Sequence, residues 1–324
     1  MKIAITGGAG FIGRALVRRH RALGDEVRVL TRSPRSTGAD GVQWFTGDLT
    51  AESADLQPFV DGADVLYHCA AELRQPERMA DVNVRGTLRL IEAARGRIGR
   101  WVQLSSIGVY ARERNTEVIT ETSPIAAANQ YEETKAAADA LVEAARSTGA
   151  FETVLLRPSI VFGPGMPNRS LAQWIAMIAR RKFVFVGPPG ASANYLYVDD
   201  LVEALVRCAT DPAAAGGIYN LSDHAPVEAF VETIADALQI APPKLRVPTP
   251  LMRGLAGLGS LIPGFPLTQS RIDALTSRTR FPIDRIANEL GYRPVVGWAE
   301  GLRTMVRHWQ EQTGSLQPAM NHAN

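Results

Sequence analysis

Eight residues near the start of the chain, Thr6-Gly7-Gly8-Ala9-Gly10-Phe11-Ile12-Gly13, constrain the fold more than anything after them. They follow a short apolar run, Ile3-Ala4-Ile5, and lead into an amphipathic one that extends to Leu23. That order predicts strand, glycine-rich turn, helix. Gly7, Gly10 and Gly13 stand in a G-x-x-G-x-x-G spacing. A tight turn out of a strand wants a residue without Cβ, and a pyrophosphate can approach backbone only where side chains are missing. The helix that follows aims its free N–H groups and positive dipole end at the phosphates. A glycine triplet alone marks any tight βα turn. The strand before it and the helix after it make this one a dinucleotide-binding fingerprint.

The alternation continues. Residues 26–31, 42–46, 64–69, 101–104 and 153–157 read as strands; a segment through Leu56, Phe59 and Val60 and residues 79–94 and 131–146 read as helices. Such a pattern demands crossovers and a buried parallel sheet. The expected architecture is α/β: a doubly wound parallel sheet (Rossmann) with a smaller, mostly C-terminal α/β substrate lobe. Residues 1–158 form the dinucleotide-binding part, which also receives later segments near 195–221. Residues 159–313 form mainly the substrate lobe, and 314–324 a frayed tail.

Past Pro158, Gly163-Pro164-Gly165 and Gly187-Pro188-Pro189-Gly190 are loop punctuation. Helices are expected at 170–181, 198–209, 227–238, 284–290 and 300–310, and strands at 183–186 and 218–221. The apolar, glycine-rich stretch 251–262 is too short to span a membrane, which takes roughly 18 residues or more, and reads as an amphipathic lid or surface element.

A net charge of +2 on 324 residues gives no electrostatic case for nucleic-acid or membrane partners. Cys69 and Cys208 sit among apolar residues and read as buried small hydrophobes in a reducing cytoplasm. Met1-Lys2 runs straight into the first strand, with no signal-peptide pattern. His20, His68, His224, His308 and His322 show no metal-ligand spacing.

Tyr131 and Lys135 are four residues apart, so they share one face of a helix. A phenol has an ordinary pKa near 10. An ammonium a turn away favours the phenolate, which can then take a proton from a secondary alcohol or return it to a ketone while hydride moves to or from nicotinamide. Ser106, at the carboxyl end of the fifth strand, is placed to hold the substrate oxygen. A Tyr and a Lys on a solvated helix face is the competing reading; the glycine turn and the serine strand end favour chemistry.

With these residues in view, the chain resembles the extended short-chain dehydrogenase/reductase family, in its NAD(P)-dependent epimerase/dehydratase branch. The similarity runs nearly end to end. Thr6–Gly13 is similar to Thr-Gly-x-x-Gly-Phe-x-Gly, Gly47-Asp48-Leu49 to Gly-Asp-Leu, and His68-Cys69-Ala70-Ala71 to His-x-Ala-Ala. Asn83-Val84-Arg85-Gly86-Thr87, Ser105-Ser106-Ile107-Gly108-Val109-Tyr110, Leu156-Arg157-Pro158, Phe162-Gly163-Pro164, Tyr197-Val198-Asp199-Asp200 and Leu290-Gly291-Tyr292-Arg293-Pro294 follow the family's pattern. The resemblance implies Ser106, Tyr131 and Lys135 as catalytic residues. It implies cofactor contacts at Gly7, Gly10, Phe11, Ile12, Gly13, Arg32, Asp48, Leu49, Ala70, Ala71, Asn83, Tyr131, Lys135 and Pro158. It also implies a homodimer through helices 79–94 and 136–146, although apolar stripes there serve a monomer core equally well.

An acidic residue ending the second strand grips the ribose 2′-hydroxyl of NAD, whereas an arginine there accommodates the 2′-phosphate of NADP. Here the strand ends Leu30-Thr31-Arg32-Ser33, with Arg35 close by. That favours NADP, with NAD the alternative if Arg32 stacks on adenine.

For the small-molecule substrate, the resemblance puts a nucleotide-sugar first, handled by a 4-epimerase or ketoreductase. Two diphosphate ligands usual in that branch are missing: Ile160 stands where an Asn is common, and 193–196 contains no Arg. Arg169, Arg271 or Arg278 are substitutes by charge. The alternative is a carbonyl reductase or hydroxyl dehydrogenase on an apolar substrate, as in the 3β-hydroxysteroid dehydrogenase and dihydroflavonol reductase branch. A non-catalytic dinucleotide-binding protein is third, disfavoured by the intact Ser106, Tyr131 and Lys135.

Overall fold

Ile3, Ala4 and Ile5 are wholly buried. A strand covered on both faces belongs in the interior of a parallel sheet flanked by helices. The computed structural model, which describes residues 1–35, 41–111, 118–259 and 269–314, puts it there. The first half runs β1 (Lys2–Thr6), α1 (Phe11–Ala22), β2 (Glu26–Thr31), β3 (Gln43–Thr46), α2 (Gln57–Val60), β4 (Ala63–His68), α3 (Pro76–Met79), a π-helical stretch (Ala80–Arg85), α4 (Gly86–Ala94), β5 (Ile98–Leu104), α5 (Gln130–Ser147) and β6 (Glu152–Pro158). It continues with β7 (Ile160–Phe162), α6 (Ser170–Ala179), β8 (Phe185–Val186), β9 (Ser192–Tyr197), α7 (Val198–Thr210), β10 (Ile218–Leu221), β11 (Asp223–Pro226), α8 (Val227–Ala237), β12 (Arg246–Val247), α9 (Thr249–Gly259), α10 (Gln269–Thr276), α11 (Asp284–Glu289) and α12 (Gly297–Thr313).

Seven strands form one parallel sheet in the order β10-β6-β5-β4-β1-β2-β3. The chain builds outward from β1 to β3, then returns and builds the other way from β4. The carboxyl ends of β1 and β4 therefore diverge into a crevice, where ligands bind in such sheets. Leu16 of α1, Leu201 and Leu205 of α7 and Ile286 of α11 pack on one face. Phe59 of α2, Leu90 and Ile91 of α4 and Val142 of α5 pack on the other. The result is a doubly wound α/β fold.

The second apolar cluster centres on Phe230 of α8, ringed by Phe162, Trp174, Tyr195 and Trp298. It lies beside two small sheets, β11-β9-β7 and β12-β8. Asp200, fully buried near the start of α7, fastens this lobe to the main sheet. Its carboxylate accepts from the backbone N–H groups of Val295, Val296 and Gly297 at 2.7, 2.8 and 2.9 Å, and its carbonyl accepts from the Tyr292 hydroxyl. The Val-Asp-Asp and Leu-Gly-Tyr-Arg-Pro segments are thus two halves of one tie.

Several expectations change. The single helix expected over 79–94 is divided, with the π-helical stretch at Ala80–Arg85 between α3 and α4. The strand expected at 183–186 shortens to Phe185–Val186. Strands β7, β9 and β11 were not expected, because β9 reads Ser-Ala-Asn-Tyr-Leu-Tyr with no clean alternation; β7 and β11 pair with it on either side. Stretch 251–262 contributes to α9 and passes beyond residue 259 outside the described residues, as does the tail after Gly314.

Gly13 is the tightest point of the turn. A Cβ there would lie 2.2 Å from the Gly7 carbonyl oxygen and 2.7 Å from Gly8 Cα, both backbone. Gly13→Ala is expected to cost about 2 kcal/mol or more in urea unfolding; an unchanged midpoint and slope would contradict the packing described.

Candidate active site

At the crevice, Gly7 has φ +69° and touches the end of β4: a Cβ on it would meet Ala70 N at 2.7 Å and the Cys69 carbonyl carbon at 2.8 Å. Gly10, extended at φ −75° and ψ 178°, caps α1 without a side chain, and the first turn of α1 carries no acidic residue. The dipole end of α1 is therefore bare and positive behind a floor that Cβ atoms would fill, which suits a pyrophosphate. Phe11 and Ile12 turn inward against the core. The Phe11 ring approaches Gly163 of the second lobe.

His68 closes the floor. Thr87 Oγ1 donates to the Asn83 carbonyl (2.7 Å), so its one proton is spent and it accepts from His68 Nε2 (2.9 Å). Thr6 Oγ1 accepts from Ala70 N (3.2 Å) and donates to His68 Nδ1 (2.7 Å). The bonds thus fix a neutral imidazole protonated on Nε2. Burial, with Lys135 adding, lowers its pKa from 6.5 to about 3.

The catalytic candidates come together on α5 and the end of β5. Asn129 caps α5 by accepting from Glu132 N, and the buried stripe Thr134, Lys135, Ala138, Asp139, Val142 fixes which face looks inward. Ser106 begins a 3-10 turn, its Oγ accepting from Gly108 N at 3.0 Å, and its hydroxyl stands near enough to the Tyr131 phenol to favour the ionised form. Burial pushes that phenol up to about 12, with the Asp139 and Glu132 carboxylates adding and the Ser106 hydroxyl opposing. Lys135 was expected to bring the phenol down, but its Nζ is occupied by the Leu104 carbonyl. Burial lowers the ammonium's pKa, against Asp139 and Cys69.

Asn83, expected among the cofactor contacts, is engaged inside the protein. Its Oδ1 accepts from Glu72 N (2.7 Å), and its Nδ2 donates to the Glu72 carbonyl (3.1 Å) and to Thr134 Oγ1 (3.0 Å). It ties the loop after β4 to α5, the helix that carries Tyr131, and Leu73 in that loop is exposed. Leu49 is buried in the core, with Ala70 packed against the same cluster. Ala71 follows Ala70 beyond the end of β4. Pro158 ends β6 beside Leu221 of β10.

At the far end of the crevice, Asp48 Oδ1 accepts from Thr50 N and Oγ1 at 2.9 and 2.8 Å. The Thr50 backbone bond holds its carboxyl below the usual range, and Arg32 reinforces this. Arg32 is exposed just past β2, and the Arg35 guanidinium lies 4.6 Å from the centre of the Trp44 ring. On the substrate side, Ile160 is 49% exposed, whereas Ala193 is buried. Asn194 donates to the Thr279 carbonyl and Arg278 to the Pro189 carbonyl. Cys69 and Cys208 are free thiols that burial keeps protonated, both pushed up to about 12. Among the described residues there is no cluster able to hold a metal ion and no helix long and apolar enough to cross a membrane.

Sequence reasoning missed Asp139 and the threonines around His68. Asp139 had a visible signal: it is four residues beyond Lys135 on the same face. Thr6 and Thr87 stand in motifs named above, but their bonds to His68, 62 and 19 positions away, are not visible in those motifs.

Residues 3–222 match the model of the NAD dependent epimerase/dehydratase family. Among curated relatives, a 4-hydroxy-2-methyl-3-oxo-4-farnesyl-3,4-dihydroquinoline-1-oxide ketoreductase of Stigmatella aurantiaca is 30% identical over 93% of this chain and 95% of its own. A 3beta-hydroxysteroid-dehydrogenase/decarboxylase of Arabidopsis thaliana is 27% identical over 97% of this chain and 81% of its own. A UDP-glucose 4-epimerase of Mycolicibacterium smegmatis is 28% identical over 97% of this chain and 100% of its own. The solved structure of UDP-glucuronic acid 4-epimerase from Bacillus cereus in complex with NAD superposes with a TM-score of 0.74 at 19% identity, covering 96% of this chain and 99% of that one.

The folded His68 takes up no proton until about pH 3, whereas the unfolded residue does so near 6.5. Its contribution is complete above pH 6.5 and is lost as pH falls from there towards 3, at up to about 1.4 kcal/mol per pH unit. Urea unfolding between pH 7 and 5 reads this slope; it should flatten in His68→Gln, and equal slopes in both proteins would refute the assignment.

Proposed function

The chain belongs to the NAD dependent epimerase/dehydratase family, and from that premise we propose that this NAD(P)-dependent oxidoreductase interconverts a secondary alcohol and a ketone on an apolar substrate. Nicotinamide, when bound, supplies or accepts the hydride, and its oxidised ring adds a positive charge. The chain's own residues do the rest. Ser106 donates a hydrogen bond to the substrate oxygen, and Tyr131 moves the proton to or from that oxygen. Lys135, held by the Leu104 carbonyl, keeps positive charge on the inner face of α5. Burial places the phenol at about 12, so Tyr131 starts protonated and is set to give its proton to a ketone.

The observation that carries the substrate class is Ile160, two residues beyond Pro158 and 49% exposed. An isoleucine offers a diphosphate no donor, and burying it against apolar substrate is favourable. Exposed Leu73, in the loop after β4, supports the same reading, as does the farnesylated substrate named for the ketoreductase relative. A nucleotide-sugar is the second reading, favoured by the full-length similarity to a UDP-glucose 4-epimerase.

We also propose NADP as the preferred cofactor. The second strand ends in Thr31 with no carboxylate, and Arg32 stands exposed beside the Asp48 end of the crevice.

Oxidation of NADPH at 340 nm with keto-steroids and prenylated ketones, run beside chromatographic detection of UDP-galactose formed from UDP-glucose, tests the substrate class. Turnover of apolar ketones alone is expected, whereas epimerisation of UDP-glucose with no apolar turnover would overturn the proposal. On any active substrate, Tyr131→Phe should lower turnover by about 10²–10⁴-fold with NADPH binding retained; near-normal turnover removes Tyr131 from the mechanism. Arg32→Asp should weaken NADPH binding by about tenfold or more relative to NADH, and equal losses for both cofactors would show that Arg32 does not read the 2′-phosphate.

A further inference from the structure

Lys135 is 3% exposed, and the hydrogen bond of its ammonium goes to a neutral carbonyl, Leu104 O. A buried cation with neutral partners alone tends to lose its proton. One turn further along the same face of α5 stands Asp139, 4% exposed. All of its hydrogen bonds arrive at one oxygen: Oδ2 accepts from Ser105 Oγ at 2.8 Å and from Arg157 Nε at 3.1 Å. The other oxygen, Oδ1, is buried with no hydrogen-bond partner among the described residues. Arg157 is itself held, donating from Nη1 to the Tyr110 hydroxyl (2.8 Å), which donates to Asn220 Oδ1 (2.8 Å) on β10. A buried chain of polar groups thus runs from the edge strand of the sheet to the helix that carries Tyr131.

We propose that Asp139 is a positioning residue for the proton-transfer pair: its carboxylate is the counter-charge that keeps the buried Lys135 protonated, and Arg157, Tyr110 and Asn220 keep that carboxylate ionised and in place. The groups around Lys135 leave this task to Asp139. β4 and the residue after it bring the neutral His68 imidazole and the protonated Cys69 thiol. β5 and the residue after it bring the Leu104 carbonyl and the Ser105 hydroxyl. β6 brings Arg157, a second cation that is bonded to Asp139. α5 brings Tyr131, whose phenol is protonated at neutral pH, and Asp139. The carboxylate also acts on Tyr131, where its charge raises the phenol.

The inference rests on Tyr131 and Lys135 being the proton-transfer pair proposed above, but its test needs no substrate, so the two can fail separately. The chain has four lysines, Lys2, Lys135, Lys182 and Lys244. With 13Cε-labelled lysine each gives its own resonance, and Lys135→Met identifies the buried one. In Asp139→Asn the Lys135 midpoint should fall by about one pH unit or more, a tenfold or greater gain in acidity, while Asp139→Glu should keep it within about half a unit of wild type. A folded Asp139→Asn protein with an unmoved Lys135 midpoint overturns the proposal. Should that variant not fold, the wild-type titration decides: as acid protonates Asp139, the Lys135 resonance must shift while those of Lys2, Lys182 and Lys244 do not. A Lys135 resonance blind to that step also overturns it.

Discussion

The site hangs on the close approach of two pieces of backbone, the turn after β1 and the residue after β4. Gly7 sits against Ala70 N, and Gly13 sits under the Gly7 carbonyl, at separations no Cβ could share. That contact sets where the sheet reverses its order, where α1 starts and how bare its first turn is. It also puts the end of β4 beside the cofactor cradle, so His68, Thr6 and Thr87 become the floor on which both sit. A neutral, doubly bonded imidazole there costs nothing in unpaired polarity and adds no charge to a crevice already made positive by a helix end and Arg32.

The fold was legible because its signals are local. Glycine spacing, short apolar runs and helical stripes each specify an element within a few residues, and the right-handed crossover rule then leaves little freedom in the first half. The second lobe was less legible for a physical reason. Its central strand β9 is buried by pairing with β7 and β11 and by the Phe230 cluster, not by a periodic apolar face of its own. Asp200 shows the same limit. The sequence shows a Val-Asp-Asp motif, but the carboxylate's partners, Val295 to Gly297, lie almost a hundred positions away.

The candidate site divides along the same line. Ser106, Tyr131 and Lys135 were readable because helical spacing and a strand end place them. What each group does electrostatically was not readable, because burial decides it. The expectation that Lys135 lowers the Tyr131 phenol treats the pair as if in isolation. In the fold the ammonium is bonded to Leu104 O and the phenol is buried among Asp139 and Glu132, so the free site favours a protonated Tyr131. Asn83 changes in the same way: its motif suggests a ligand contact, and its amide is engaged by Glu72 and Thr134.

Lys135, Asp139 and Arg157, all buried, carry one net positive charge between them if all are ionised, a cost in a low-dielectric site that the hydrogen bonds to Leu104, Ser105 and Tyr110 offset. The bonds to Ser105 just after β5, to Tyr110 and to Asn220 on β10 spread it away from α5, so the inner face of that helix is braced from outside itself. The substrate side has no such brace. Leu73, in the loop after β4, and Ile160, at the start of β7, are both exposed. Buried polar support under Lys135 and exposed apolar side chains at Leu73 and Ile160 are therefore held by different means, the first by hydrogen bonds and the second by none that the sheet supplies.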